Sequence, residues 1–254
     1  MTPHYELTGP AGAEVVVLSN SLGTDLSLWD EQVPALAERF RVLRYDQRGH
    51  GRTPGGPGPY SLAGLGGDVL ELLDELGVER AHFAGVSLGG MTGMWLAEHH
   101  PERIGRLALI CTSAELTPAA AWRDRAAQAR ERGTSSLVEG SLTRWFTPAT
   151  AARPDIAEKY SKMLTDCQDE GYAGCAEAIA DMDLLPRLGE ITAPTLVIAG
   201  REDPATPPPH AERIGEAVPG AQVEILDNAS HLANAERPEP VNRLLVHHFT
   251  RSVR

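Results

Sequence analysis

Six short apolar runs recur along the chain: Val15-Val16-Val17-Leu18, Val42-Leu43 with Tyr45, His82-Phe83-Ala84, Leu107-Ala108-Leu109-Ile110, Leu196-Val197-Ile198-Ala199 and Val223-Glu224-Ile225-Leu226. Each is too short for an ordinary helix and ends near polar or glycine residues, the pattern of strands in a parallel sheet buried on both faces. Helix-like segments separate them. From Ser61 to Leu76, the residues Leu62, Leu65, Val69, Leu72, Leu73 and Leu76 fall on one helical stripe despite Gly64, Gly66 and Gly67. A second helix is predicted to begin just past Ser87 and to run to His100, where Pro101 stops it. The alternation predicts an α/β protein, a mostly parallel central sheet with helices on both faces.

The alternation breaks after Cys111. Residues 113–186 read as helical and polar with no convincing strand, and the sheet resumes at Thr195. Ala119 to Arg132 is rich in Ala and Arg, Leu137 to Phe146 carries Arg144-Trp145-Phe146, and Asp155 to Leu185 continues the helical pattern. The expected organisation is a core of residues 1–112 and 187–254 with a helical lid inserted at 113–186. Pro204, Pro207, Pro208 and Pro209 read as a loop after a strand.

Composition narrows the function. A chain of 254 residues with 42% hydrophobic content can bury one substantial core. The 23 Lys and Arg against 35 Asp and Glu give a net charge of -12, which repels phosphate backbones and anionic membrane surfaces. Nucleic acid and membrane are therefore not expected as partners. No apolar run approaches the ~20 residues that span a bilayer, and Met1 to Gly12 lacks a basic segment followed by an apolar core, so a soluble cytoplasmic protein is expected. Cys111, Cys167 and Cys175 are an odd number with no C-x-x-C pair, which favours small buried thiols over disulfides or a zinc site. His99 and His100 are adjacent, as are His247 and His248, and no H-E-x-x-H occurs. The chemistry should need no metal. Nothing in the sequence specifies an oligomeric state.

Gly85-Val86-Ser87-Leu88-Gly89 places a serine between small residues on a strand-to-helix turn, which is how a hydroxyl is presented as a nucleophile. Such a serine needs a base, and the base needs a group that fixes its tautomer. Asp203 lies just past the Leu196 strand and His231 just past the Leu226 strand, where ligand-facing loops of open parallel sheets lie. Glu202 is the alternative acid, leaving Asp203 to cap a turn, but a one-residue shift would turn the carboxylate away. An oxyanion would be held by two backbone donors: the Leu88 N–H at a helix start and the Leu22 N–H in Asn20-Ser21-Leu22-Gly23-Thr24. The bland alternative for that loop is an ordinary turn. Asp46-Gln47-Arg48-Gly49-His50-Gly51-Arg52-Thr53 is expected to be structural, with Asp46 or Arg48 holding a tight loop by hydrogen bonds.

Gly85 to Gly89, Asp46 to Gly51, Asp203 and His231 together resemble the α/β-hydrolase superfamily over nearly the whole chain. Leu18-Ser19-Asn20-Ser21-Leu22-Gly23-Thr24 leading to Trp29 is similar to the 3-oxoadipate enol-lactonases, where many relatives carry His-Gly in place of Asn20-Ser21. Arg144-Trp145-Phe146-Thr147 and Cys175-Ala176-Glu177-Ala178-Ile179 look similar to that group too. The resemblance implies an α/β-hydrolase fold, a small-molecule lactone or ester as substrate, and opening of 3-oxoadipate enol-lactone during aromatic-compound catabolism, with no cofactor needed. Such a substrate carries a carboxylate, for which Arg144 is the expected cation with Trp145 and Trp122 as apolar walls. Arg on a solvated face and Trp packing the lid are the bland alternatives. A carboxylesterase or a cofactor-free haloperoxidase or perhydrolase on the same scaffold is the competing enzyme. A non-catalytic ligand receptor is the competing reading of another class, and it would not need Ser87, Asp203 and His231.

Overall fold

The structure, a computed structural model, describes residues 2–251. The strands are β1 (Tyr5–Thr8), β2 (Val15–Ser19), β3 (Arg41–Tyr45), β4 (Ala81–Val86), β5 (Ile104–Ile110), β6 (Thr195–Gly200) and β7 (Gln222–Leu226). They form one sheet in the order β1-β3-β2-β4-β5-β6-β7, parallel except for β1. The six apolar runs are β2 to β7. In β2, β4 and β6 every residue is buried, which follows from cover on both faces.

β1 was not expected from the sequence. Its residues alternate between half-buried and exposed, and it pairs antiparallel on the sheet edge with Tyr5 opposite Tyr45. An edge strand of four residues buries too little to leave an apolar run.

The helices are α1 (Val33–Ala37), α2 (Leu62–Glu75), α3 (Leu88–His99), α4 (Ala119–Arg132), α5 (Val138–Trp145), α6 (Pro148–Ala151), α7 (Pro154–Asp166), α8 (Asp169–Ala180), α9 (Pro208–Ala217), α10 (Ala233–Glu236) and α11 (Pro238–Thr250). α2 starts where the Ser61 hydroxyl accepts the Gly64 N–H at 3.1 Å, a cap worth about 1 kcal/mol. Its stripe Leu62, Leu65, Val69, Leu72 and Leu73 is buried, each side chain contributing roughly 1.5–3 kcal/mol, while Leu76 is half-buried.

One reading of the chain needs correction. Pro208 and Pro209 do not lie in a loop but form the first turn of α9, where a missing N–H costs nothing. The stretch from Asp155 to Leu185 is mostly helical as expected, in α7 and α8, with a break at Cys167-Gln168 between them. There the Gln168 N–H donates to the Gly49 carbonyl at 2.9 Å. Gly171 comes so near that a Cβ on it would lie 2.3 Å from the Gly49 Cα. The helices between β5 and β6 are thereby pinned to the loop after β3.

That loop is held as expected. Asp46 Oδ1 accepts the Leu26 N–H at 2.8 Å and Oδ2 the Arg52 N–H at 2.9 Å, and Arg48 Nε donates to Asp68 at 2.6 Å. Among the described residues no helix is long and apolar enough to cross a membrane, and no group of His, Cys, Asp or Glu is arranged to hold a metal ion.

Candidate active site

The turn from β4 into α3 places Ser87 at φ 54° and ψ −114°, a left-handed conformation that costs a non-glycine residue on the order of 1–3 kcal/mol. Hydrogen bonds fix it there. The Ser87 N–H donates to Ile110 O at 2.9 Å, and its carbonyl accepts the Thr112 hydroxyl at 2.7 Å and the Met91 N–H at 3.0 Å. The flanking glycines make the room: a Cβ on Gly85 would lie 2.2 Å from the Gly89 carbonyl carbon, and one on Gly89 would lie 2.2 Å from the Ser19 carbonyl oxygen. The second approach seats the start of α3 against the end of β2.

Past β6 and β7 the two remaining loops pack on each other, a Cβ on Gly200 being only 2.5 Å from Ala229 O. His231 Nδ1 lies 2.8 Å from Asp203 Oδ2, with both side chains almost wholly buried. Asp203 Oδ1 accepts the N–H groups of Ala205 at 2.7 Å and Thr206 at 3.0 Å, and the Thr206 hydroxyl donates to Oδ2 at 2.7 Å. Burial alone would raise the Asp203 pKa. The charge and hydrogen bond of His231, with the Thr206 donors, outweigh it and hold the carboxyl below its ordinary value. Asp203 is thus an ionised acceptor for the imidazole.

Glu202, the alternative acid, points its carboxylate elsewhere, accepting the Asn228 N–H at 3.3 Å and the Ala229 N–H at 3.0 Å. It shapes the loop that carries His231. That loop also touches the end of β5, where the Cys111 thiol donates to Ser230 O at 3.6 Å. Cys111 directly follows Ile110, the acceptor of the Ser87 N–H. Ser87 and His231 therefore share one end of the sheet, although the Ser87 hydroxyl makes no protein hydrogen bond among the described residues.

The loop after β2 is held by hydrogen bonds. The Gly23 N–H donates to His50 Nε2 at 3.0 Å, the Thr24 N–H to Ser21 O at 3.2 Å, and the Asn20 amide to Tyr45 O at 2.7 Å. His50 can accept because burial pushes it down to about 4, which keeps its ring neutral. The Leu22 and Leu88 N–H groups have no protein acceptor among the described residues, and both side chains are buried. The Gly89 contact with the end of β2 brings these two free donors to neighbouring segments.

The helices between β5 and β6 reach the same end. The Trp145 carbonyl accepts the Leu232 N–H at 3.0 Å and the Arg144 carbonyl accepts the Ser230 hydroxyl at 2.9 Å, so α5 grips both neighbours of His231. The Trp145 ring is buried and approaches Gly23, a Cβ there lying 3.5 Å from it. The Arg144 guanidinium turns toward Gly140 and shares a cavity of about 290 Å³ with Arg125. Burial, then the charge of Arg125, push Arg144 down to about 10, so it stays cationic near neutrality. Trp122 is half-buried.

Arg125 was missed in the sequence. Its Nε donates to the Tyr172 hydroxyl at 2.6 Å and another nitrogen to the Ser141 hydroxyl at 3.1 Å, and it sits 5.7 Å from the Trp122 ring. Among the described residues no carboxylate pairs with it, although Asp124 lines the same cavity. The signal available was Trp122 and Arg125 one helical turn apart on α4.

Known proteins share this fold. The alpha/beta hydrolase fold family matches residues 14–238. The chain is 41% identical to 3-oxoadipate enol-lactonase 2 of Acinetobacter baylyi over 94% of this chain and 90% of that protein. It is 32% identical to RutD of Stutzerimonas stutzeri, provisionally named a carbamate hydrolase, over 97% and 96%. The crystal structure of the enol-lactonase from Burkholderia xenovorans LB400 superposes with a TM-score of 0.95 at 42% identity, covering 98% of this chain and 96% of that one. The chain belongs to the alpha/beta hydrolase family, among its carboxylic-ester hydrolases.

Proposed function

We propose that the protein hydrolyses 3-oxoadipate enol-lactone to 3-oxoadipate through an acyl-enzyme, in the catabolism of aromatic compounds. The reaction type rests on one observation: a left-handed Ser87 at the same sheet end as a buried His231 paired with Asp203 at 2.8 Å. The substrate rests on identity of about 40% to the enol-lactonases.

Ser87 attacks the ring carbonyl as His231 Nε2 takes its proton, and Asp203 stabilises the imidazolium through Nδ1. The Leu22 and Leu88 N–H groups receive the oxyanion, each donor being worth about 2.7–4 kcal/mol in the transition state. Leu88 opens a helix of 12 residues, whose positive end adds to the effect. The carbonyl–oxygen ring bond breaks and an enolate leaves, taking the proton from His231. Water deprotonated by His231 then attacks the acyl-enzyme, Ser87 leaves with that proton, and the released enol tautomerises to the ketone. No cofactor takes part.

Residues 113–186 serve as a lid over this site. The substrate carboxylate is drawn in, against a net charge of -12, by Arg144 with Arg125 beside it. Trp145 and Trp122 form apolar walls. The resemblance to RutD keeps a carbamate as the second candidate substrate. Turnover measured on the enol-lactone, its saturated lactone, a small carbamate and p-nitrophenyl acetate separates them. The enol-lactone should give the highest kcat/KM, and a higher value for the carbamate or the neutral ester would overturn the reading.

A further inference from the structure

The strands β2, β3, β4 and β5 run parallel, so their first residues lie at the end of the sheet away from Ser87. A cavity of about 730 Å³ opens there, lined by Arg39, Arg80, Arg106 and Arg251. Glu14 is the one carboxylate among its described lining residues, and its side chain is 78% exposed. None of the four guanidinium groups is paired with a carboxylate among the described residues. Arg80 donates to Ile104 O at 3.3 Å, and Arg106 donates to Arg251 O. Among the described lining residues four cations face one acid, in a chain of net charge -12, and a bound anion would relieve their mutual repulsion.

His82 is the second, independent observation. It is only 8% exposed, it lines the cavity, and neither ring nitrogen has a hydrogen-bond partner, Glu14 Oε2 being 3.8 Å away. Leaving a buried donor and acceptor unengaged costs roughly 1–3 kcal/mol each. Beside the arginines the lining carries two largely buried aromatic rings, with His82 stacked on Phe249 at 5.2 Å and edge-on to Phe40 at 5.8 Å.

We propose that this basal cavity is a second binding site, taking a small anion with a flat apolar body. Its carboxylate or phosphate meets Arg39, Arg80 and Arg106, and its body lies along the Phe40 and Phe249 side of the cavity, beside the His82 ring. The site stands on different residues from the hydrolytic centre and does not depend on what that centre hydrolyses.

The test is titration of the protein, carrying 15N-labelled histidine, with benzoate while the His82 ring resonances are followed, assigned with His82→Gln. A saturable shift with millimolar affinity is expected. In Arg39→Gln/Arg80→Gln, two exposed positions, the affinity should fall roughly tenfold, about 1.4 kcal/mol. Inorganic phosphate and benzyl alcohol, each lacking half of the ligand, should both bind more weakly than benzoate. In the parent protein a tenfold rise in salt should weaken benzoate. No saturable His82 shift, unchanged affinity in the double variant, salt-independent binding, or phosphate binding as tightly as benzoate would each overturn the assignment.

Discussion

The loops that carry Ser87, Asp203 and His231 and the helices that carry Arg125, Arg144, Trp122 and Trp145 meet at one end of the sheet, but they are held differently. The loops are fixed by backbone groups: Ser87 N–H on Ile110 O, Asp203 under two N–H donors, and residues 228–230 on the carboxylates of Glu202 and Glu236. The helices meet the core through a few backbone groups, such as the Gln168 N–H on Gly49 O and the Leu232 N–H on Trp145 O, and are tied to one another by side chains. Arg130, for one, joins α4 to α8 through Glu170 at 2.8 Å and Glu177 at 2.5 Å, all at the surface. Backbone anchoring leaves the reacting side chains little freedom, whereas side-chain ties between helices leave a surface whose charge and shape can change without moving them. The proposed chemistry thus belongs to the loops and the proposed substrate choice to the helices.

The largest test of that division is Ser87→Ala and His231→Ala. Each should lose roughly 10⁴- to 10⁶-fold in kcat toward charged and neutral esters alike, and the double variant should be scarcely worse, because the residues act as a unit. Losses confined to the charged lactone would break the comparison. So would multiplicative losses in the double variant.

A second test concerns how the loop behind the oxyanion donors is held. His50 holds Gly23 only as a neutral ring, with a folded pKa of about 4 against about 6.5 in the unfolded chain. The unfolded chain therefore takes up the proton first on acidification. Stability from this group is complete above about pH 6.5 and falls as pH drops toward 4, by on the order of 3 kcal/mol in full. His50→Gln cannot be protonated, so denaturant melts at pH 7 and pH 4.5 should show a smaller acid loss than in the parent. Equal losses would mean that His50 does not pin the loop.

Much of this was legible in the sequence because burial on both faces leaves its mark. Val15 to Leu18 and Leu196 to Ala199 are apolar at every position since both sides are covered, and Ser87 announces itself by glycines needed for close backbone approach. What was hidden depends on tertiary partners. β1 shows no apolar run because one side faces solvent, and the α7–α8 break is set by a hydrogen bond to Gly49, 119 positions earlier in the chain than Gln168. Arg125 looked like any helical arginine in Ala119 to Arg132. Only Tyr172 and Ser141, from two other helices, distinguish it.

On the helical side, Arg144→Ala should raise KM for the charged lactone roughly 10- to 100-fold, the 1.5–3 kcal/mol of a charge-assisted contact. Turnover of p-nitrophenyl acetate should hardly change. Arg125→Lys should have a similar but smaller effect, because the ammonium keeps the charge while losing the fork that engages Tyr172 and Ser141 together. Equal kinetics for the lactone in parent and Arg144→Ala would assign carboxylate recognition elsewhere.

The smallest expected effect is at the joint between the two regions. Glu236 Oε1 accepts both the N–H and the hydroxyl of Thr147, just past α5, while Oε2 accepts the Ser230 N–H at 2.7 Å, next to His231. One carboxylate therefore serves donors on both sides, and an amide cannot. In Glu236→Gln a single oxygen remains, so either Thr147 or Ser230 must face an NH₂ group, a loss of about 1 kcal/mol. If the loop and the helices were independent, the amide would turn its oxygen to Ser230, and kcat toward p-nitrophenyl acetate would stay at the parent value. If the joint sets the position of His231, kcat should fall about fivefold for the neutral ester and the charged lactone together, with little change in KM. Thr147→Val removes one donor from the helical side alone and leaves Ser230 its carboxylate. It should therefore preserve kcat, and a fall equal to that of Glu236→Gln would show that the helices reach the reacting atoms after all.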